Sequence, residues 1–401
     1  MDFNLIKRLQ QPVQSKIVML VMDGLGGLPK AQGRGTELET AQTPHLDILA
    51  AQSLCGLQQP VATGITPGSG PAHLALFGYD PLQFEVGRGV LAALGIGFDL
   101  KTKDVAARGN FCTLDDQGRV ADRRAGRIAH ETGVQLCRRL AEIKLAGVEL
   151  FVEPVKDYRF LLVLRGDHLH GEIQDSDPQK IGVAPLTPEP REERAKLTAG
   201  LVQRFLEEAR EKLAPEDAAD MVLLRGFSQK PRWPAMQEIF GLRAAALAGY
   251  PMYRGLGRLI GMDPLESGES LEEQVESLEN NWAAYDFFYL HAKGIDSAGE
   301  DGDFERKTAL IEAVDPLLPR ILALKPDVLI VTGDHSTPAT LKSHSWHPVP
   351  VILHSDRCRP DGVERFGESA CLAGGLGPRF PAQDLMPLAL ANAGRLGKFG
   401  A

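Results

Sequence analysis

The chain has little with which to grip a polyanion: 44 Lys and Arg stand against 53 Asp and Glu in 401 residues, a formal charge of −9 with neutral His. Without an excess positive field, nucleic acid and an anionic membrane surface are excluded as general partners. Long apolar runs are also missing. None approaches the roughly 20 residues that span a bilayer, and no signal-type apolar segment precedes the first strand-like run. Cysteine is sparse and odd in number: Cys55, Cys112, Cys137, Cys358 and Cys371 contain no C-x-x-C pair. Such a set fits free thiols, packed as small apolar groups in a reducing compartment, and leads to the expectation of a cytoplasmic protein. Hydrophobic residues, by contrast, make up 43% of the chain, enough for one large core plus a second module.

Residues 16–22 form a continuous apolar run that ends at Asp23 and a Gly-rich turn, as a buried strand would that delivers a carboxylate at its carboxyl end. Residues 327–333 repeat the design into Asp334 and His335, and residues 287–291 repeat it into Gly294 and Asp296. Segments 43–52, 271–282 and 303–324 carry apolar spacing near three and four and are expected to be helices. Together they predict an α/β core with a mostly parallel sheet sandwiched by helices, and a ligand crevice beyond the carboxyl ends of its strands. From about 105 to 226 the pattern changes to short strand-like runs (108–113, 149–154, 160–164), a Pro-rich stretch at 182–190 and a charged helix at 190–213. This region is expected to be a smaller α+β domain, 106–226, inserted between two halves of the core, 1–105 and 227–401. No fixed-period repeat or low-complexity tract interrupts this plan.

The adjacent Asp334 and His335, with Asp296, His344 and Asp23, offer mixed carboxylate and imidazole ligands on rigid strand ends. That mixture suits Mn, Zn or Fe(II) better than Mg or Ca, which prefer oxygen shells. Ser69 sits where the turn 64–70 enters a helix-like segment, close to free backbone donors that favour a phosphoryl group. Taken alone it fits a plain N-cap; beside a metal set it fits a metal-activated nucleophile. The turn 64–70 has no Lys for a phosphate-binding loop, and Pro29 stands where a dinucleotide fingerprint needs its third Gly. Gly87, Gly89 and Ala92 do match G-x-G-x-x-A, a pattern that helix packing explains as well.

Between 101 and 140 there are nine Lys or Arg and five Asp or Glu, a local +4 in an acidic chain. Arg108, Asn110, Arg123, Arg124 and Arg127 are therefore candidates for gripping a carboxylate or phosphate, with Arg254 and Arg258 as further candidates from the core.

Taken in order, these motifs resemble the cofactor-independent (2,3-bisphosphoglycerate-independent) phosphoglycerate mutases of the archaeal type, in the alkaline phosphatase superfamily. The likeness is carried by VMDGLGGLP at 21–29, TPHLDILA at 43–50, GITPGSGPAHLALFGYDP at 64–81, ARGNF and DRRAGR in the insert, YRGLGRLIGM at 253–262, HAKGIDSAGEDGDF at 291–304, and TGDHSTP with HSWHPVP between 332 and 350. The resemblance implies an alkaline-phosphatase-like core and an isomerase of glycolysis and gluconeogenesis that interconverts 3- and 2-phosphoglycerate through a phosphoserine intermediate at Ser69. It implies two divalent metal ions, Mn first among Mn, Zn, Mg and Co: one held by Asp23, Ser69, Asp334 and His335, the other by Asp296 and His344. Glu300 stands where relatives often have His, and His347 is the other residue able to supply an imidazole. The inserted domain would hold the glycerate and close over the core on hinges near 105 and 226, excluding water. Homo-oligomerisation is left open. The alternatives are a metal-dependent phosphomonoesterase or other phosphoryl transferase on the same core, and a non-catalytic metabolite binder with a decayed metal site.

Overall fold

A computed structural model describes residues 1–214 and 216–400 and divides into two units, Met1–Glu85 with Trp233–Ala401, and Val86–Arg232. Thirteen strands run along the described residues: β1 (Ile17–Met22), β2 (Leu54–Gln59), β3 (Val105–Leu114), β4 (Val120–Asp122), β5 (Glu149–Lys156), β6 (Arg159–Arg165), β7 (Met221–Ser228), β8 (Ala244–Leu247), β9 (Asp263–Pro264), β10 (Phe287–Ala292), β11 (Val328–Thr332), β12 (Val349–His354) and β13 (Gly377–Pro381).

The first unit is built on an eight-stranded sheet in the order β13-β2-β12-β11-β1-β10-β8-β9. β12 runs antiparallel to both its neighbours, and every other pairing is parallel, so seven strands point one way. The expected mostly parallel α/β sheet is thus what the chain forms. All six side chains of β1 are fully buried, which is why it reads as unbroken hydrophobicity rather than as alternation. Each such Val, Ile, Leu or Met contributes roughly 1.5–3 kcal/mol by leaving water.

Register places the strand ends. Met22 pairs with Ala292 of β10, and Val21 with Thr332 of β11, so Asp23, Lys293 and the loop from Gly333 leave the sheet side by side. The segments 43–52 and 271–282 are helical as expected, at Pro44–Ala51 and Leu271–Asn281. The long helix expected over 303–324 is instead Phe304–Glu312, a single turn Asp315–Leu317 and Leu318–Ala323. Pro316 and Pro319 have no N–H to continue the ladder, and the Asp315 carboxylate accepts from the backbone N–H groups of His45 and Leu46.

The second unit is a five-stranded antiparallel sheet, β4-β3-β6-β5 with β7 also on β3, and the helices His130–Leu140 and Lys196–Leu213. Its core includes Phe111, Phe160, Phe205, Leu136 and Val222. It is wider than the expected 106–226: the helix Arg88–Gly95 packs on β3 at one end, and β7 continues to Ser228 at the other. A Cβ at Gly89 would run into the carbonyl of Ala106, so the G-x-G-x-x-A match records helix packing. Cys55, Cys112, Cys137 and Cys371 are buried, Cys358 is partly buried, and all five are free thiols.

Candidate metal centre and active site

Ser69 is the first residue of the helix Ser69–Leu76, and Gly68 is its N-cap, so the hydroxyl is not consumed in capping. One helical face carries it to the strand ends. His73 and Phe77, four and eight residues on, pack against Tyr289 of β10, and His73 also meets His291. His73 Nδ1 donates to the Ser69 carbonyl at 2.8 Å and lies 3.2 Å from Asp334 Oδ2. Ser69 Oγ is 3.2 Å from His335 Nε2.

Two groups of ligand atoms converge, each within 4.8 Å: Asp23 with Asp334 and His335, and Asp296 with His335 and His344. His335 belongs to both, and the two imidazole rings stack with centroids 3.6 Å apart. Proton counting gives the orientation of each ring. Thr337 donates its only hydroxyl proton to Asp296 Oδ1 at 2.9 Å, so at 3.0 Å from His335 Nδ1 it accepts, and Nδ1 carries the hydrogen. His344 Nδ1 likewise donates to the Pro67 carbonyl at 2.9 Å. In the neutral ring, both Nε2 atoms therefore present lone pairs to carboxylate oxygens: His335 to Asp334 Oδ2 at 3.1 Å and Asp23 Oδ1 at 3.5 Å, His344 to Asp296 Oδ1 at 3.5 Å. Asp23 Oδ1 and Asp334 Oδ2 are buried and make no hydrogen bond of acceptable angle, despite these close approaches. With both rings neutral, these buried Lewis bases facing one another are the donor set of a divalent cation.

Electrostatics shows the same demand. Lys293 Nζ bridges Asp23 Oδ2 at 3.0 Å and Asp296 Oδ2 at 2.5 Å, a cation between the two clusters. Burial alone would raise the Asp23 carboxyl, but Lys293 and His291 hold it well below the usual range. Burial and the Asp23 charge oppose ionisation of Asp296, yet His344 and Lys293 bring it down to about 2. Burial works against the His344 cation, but Asp296 and the Pro67 carbonyl push it up to about 9, so a proton there substitutes for a metal ion. Tyr253 donates to Asp23 Oδ2 at 2.6 Å and packs its ring, tilted by 37°, against His291, which keeps that carboxylate oriented. Gly24 must stay without a side chain, since it has φ +67 and a Cβ would approach Thr337 Oγ1 to 2.7 Å.

Glu300 stands at the rim, half exposed, with Oε1 4.0 Å from His344 Nε2. His347 does not join these groups; its Nδ1 faces Ser345 Oγ at 2.9 Å and its ring stacks on Trp346. Arg254 lies in the first unit, with Nη2 3.4 Å from Glu266 and a buried Nε that has no hydrogen-bond partner.

Within the second unit, Arg108 pairs across the sheet with Arg225 of β7, and Asn110, two residues on, shares its face with its Oδ1 buried and unbonded. Arg123 forms a two-pronged pair with the buried Asp177, at 3.1 Å from Nε and 2.7 Å from Nη2. Arg225 Nε lies 3.6 Å from the same carboxylate. Arg124 and Arg127 are exposed on the turn beyond β4. Sequence reasoning missed Arg225 and Asp177, and in the first unit His73, Lys293, Tyr253 and Thr337. The signal for His73 was its position one helical turn after Ser69.

Fold and site define an α/β protein with a serine at the edge of a carboxylate and imidazole centre able to hold metal ions. A family profile described as 2,3-bisphosphoglycerate-independent phosphoglycerate mutase matches residues 50–218. The chain is 50% identical to a probable 2,3-bisphosphoglycerate-independent phosphoglycerate mutase of Thermus thermophilus over 100% of this chain and 99% of that one. A protein of the same description from Aquifex aeolicus is 46% identical over 99% and 100%. Among solved structures, a Pyrococcus horikoshii protein superposes with TM-score 0.84 at 28% identity, covering 97% of this chain and 100% of that one. The cofactor-independent phosphoglycerate mutase of Thermoplasma acidophilum gives 0.67 at 28% identity, covering 94% and 100%. The chain belongs to the 2,3-bisphosphoglycerate-independent phosphoglycerate mutase family.

Proposed function

We propose that the protein is an isomerase that interconverts 3-phosphoglycerate and 2-phosphoglycerate without 2,3-bisphosphoglycerate, as a step of glycolysis and gluconeogenesis in the cytoplasm. The observation that carries this reading is the Ser69 hydroxyl, uncommitted to capping and 3.2 Å from His335 Nε2 beside two orphaned carboxylate oxygens. Asp23, Asp334 and His335 would hold one divalent metal next to Ser69. Asp296, His344 and Glu300 would hold a second, with manganese the first choice for this mixed donor set. Such ions, when bound, supply charge neutralisation at the phosphoryl oxygens and lower the pKa of the serine hydroxyl.

In the first half-reaction Ser69 Oγ bonds to phosphorus as the bond to glycerate O3 breaks, and the proton lost by Ser69 is made up on O3. The second half reverses the exchange at O2, leaving no net change in protons. His73 holds the Ser69 backbone in place, and Tyr253 holds Asp23. Arg108, Asn110 and Arg123, with Arg124, Arg127 and Arg254, would grip the carboxylate and phosphate of the glycerate. Retention matters, because water attacking phospho-Ser69 would make the protein a phosphatase. The test is turnover of 3-phosphoglycerate by protein purified free of 2,3-bisphosphoglycerate. Product 2-phosphoglycerate is expected with Mn2+ and none after chelation.

A further inference from the structure

Two charged side chains that touch no candidate ligand atom, Lys307 and Glu37, lie buried behind the candidate metal centre of the first unit, with the partly buried Glu368 beside them. Lys307, on the helix Phe304–Glu312, is fully buried, a rare state for lysine unless its donors are spent. Its ammonium donates to the carbonyls of Gly26 and Thr337, both at 2.9 Å, and faces Glu37 Oε1 at 3.9 Å. Glu37, also fully buried, accepts from the backbone N–H of Leu28 at 3.1 Å and of Ala339 at 2.7 Å, one with each oxygen. Glu368 accepts from Gly27 N at 2.8 Å and from Thr36 Oγ1 at 2.6 Å.

The hydrogen-bond partners of the Lys307 and Glu37 side chains fall on two loops. One runs from Asp23 to Leu28 and the other from Asp334 to Ala339, and each begins with a candidate ligand. Lys307 takes one carbonyl from each loop, and Glu37 one amide from each, so each residue is a crosslink between them. The loops also touch directly through Thr337 N–H and the Gly26 carbonyl at 3.0 Å. Packing leaves no slack: a Cβ at Gly27 would run into the Glu37 carboxylate.

We infer that Lys307 and Glu37 are positioning residues: a buried clamp that sets the spacing of Asp23 from Asp334 and His335, so that metal affinity depends on it while substrate affinity does not. This rests on the reading that those three residues hold a metal. A clamp of this kind acts as an outer shell does, by holding ligands at the distance that a cation requires, and its loss weakens binding about 10–100-fold.

The test is calorimetric titration of Mn2+ into the chelator-stripped full chain as wild type, Lys307→Met and Glu37→Gln, with circular dichroism and melting curves on each. Glu37→Gln keeps the volume but turns one acceptor into a donor facing an N–H. Both variants are expected to fold and to bind Mn2+ about 10–100-fold more weakly, with kcat recovered by raised Mn2+ and KM for 3-phosphoglycerate unchanged. Wild-type Mn2+ affinity in folded Lys307→Met, or in Glu37→Gln should the first variant not fold, overturns the clamp. So does a raised KM at unchanged Mn2+ affinity. A wild-type chain that takes up no Mn2+ overturns the metal reading itself, and the clamp with it.

Discussion

Thr337 Oγ1 lies 3.0 Å from His335 Nδ1 and accepts its hydrogen, because its own proton is committed to Asp296 Oδ1 at 2.9 Å. One hydroxyl therefore links the two ligand clusters and turns the His335 lone pair toward Ser69 and the carboxylates. Thr337→Val keeps the shape and removes the link, and is expected to weaken metal binding about 10–100-fold. Thr337→Ser keeps the hydroxyl and should stay within a few-fold of wild type. Metal titration of the two variants checks this, and equal affinities would dissolve the relay.

Ser69→Ala is expected to abolish turnover while metal content and melting temperature stay near wild type, since the hydroxyl caps nothing. Mass spectrometry of protein quenched during turnover should find phosphate on Ser69 in wild type and none in the variant. Retained activity in Ser69→Ala removes the residue from the reaction.

Glu300 stands at the rim of the Asp296 cluster, and its carboxylate is 4.0 Å from His344 Nε2. Elemental analysis of Glu300→Ala should show one of two metals per chain lost or bound much more weakly. Two tightly retained metals would exclude Glu300 as a ligand.

Asp177 ties Arg123 and Arg225 together in the second unit. Burial raises its carboxyl, but the Arg123 hydrogen bonds outweigh this and hold it below the ordinary carboxylate value. A depressed folded pKa gives stability that is complete above the unfolded value of about 3.9 and is lost as pH falls through the folded one. Asp177→Asn should therefore destabilise the fold at pH 7, because it leaves the partly buried Arg123 and Arg225 without their counter-ion, and flatten the acid limb. Melting curves from pH 3 to 7 check both. The same variant frees the Arg123 guanidinium, so its effect on KM reports how far that pair shapes the anion site.

The strand ends of the first unit were legible because parallel buried strands read as unbroken apolar runs, and each of the three stopped at a carboxylate or imidazole. β8 and β9 carry no such ending, and β12, which ends at His354, runs antiparallel to β11, so its imidazole leaves the opposite edge of the sheet. The same holds for residues whose meaning lies in a partner: Lys293 is informative only once register sets it between Asp23 and Asp296, and Arg225 only once β7 pairs with β3. Helical spacing over 303–324 outweighed Pro316 and Pro319 in the reading, although a missing N–H was enough to break the helix. His347, three residues beyond the expected ligand His344, was the alternative source of an imidazole, but only His344 faces Asp296, because Pro67 takes its other nitrogen.

The central claim is that phospho-Ser69 returns its phosphoryl group to glycerate rather than to water. Phosphorus NMR of Mn2+-loaded protein with 3-phosphoglycerate tests this most directly. The account predicts a growing 2-phosphoglycerate resonance that reaches a constant ratio to 3-phosphoglycerate with total ester conserved. Inorganic phosphate appearing alone, with no 2-phosphoglycerate, would contradict it.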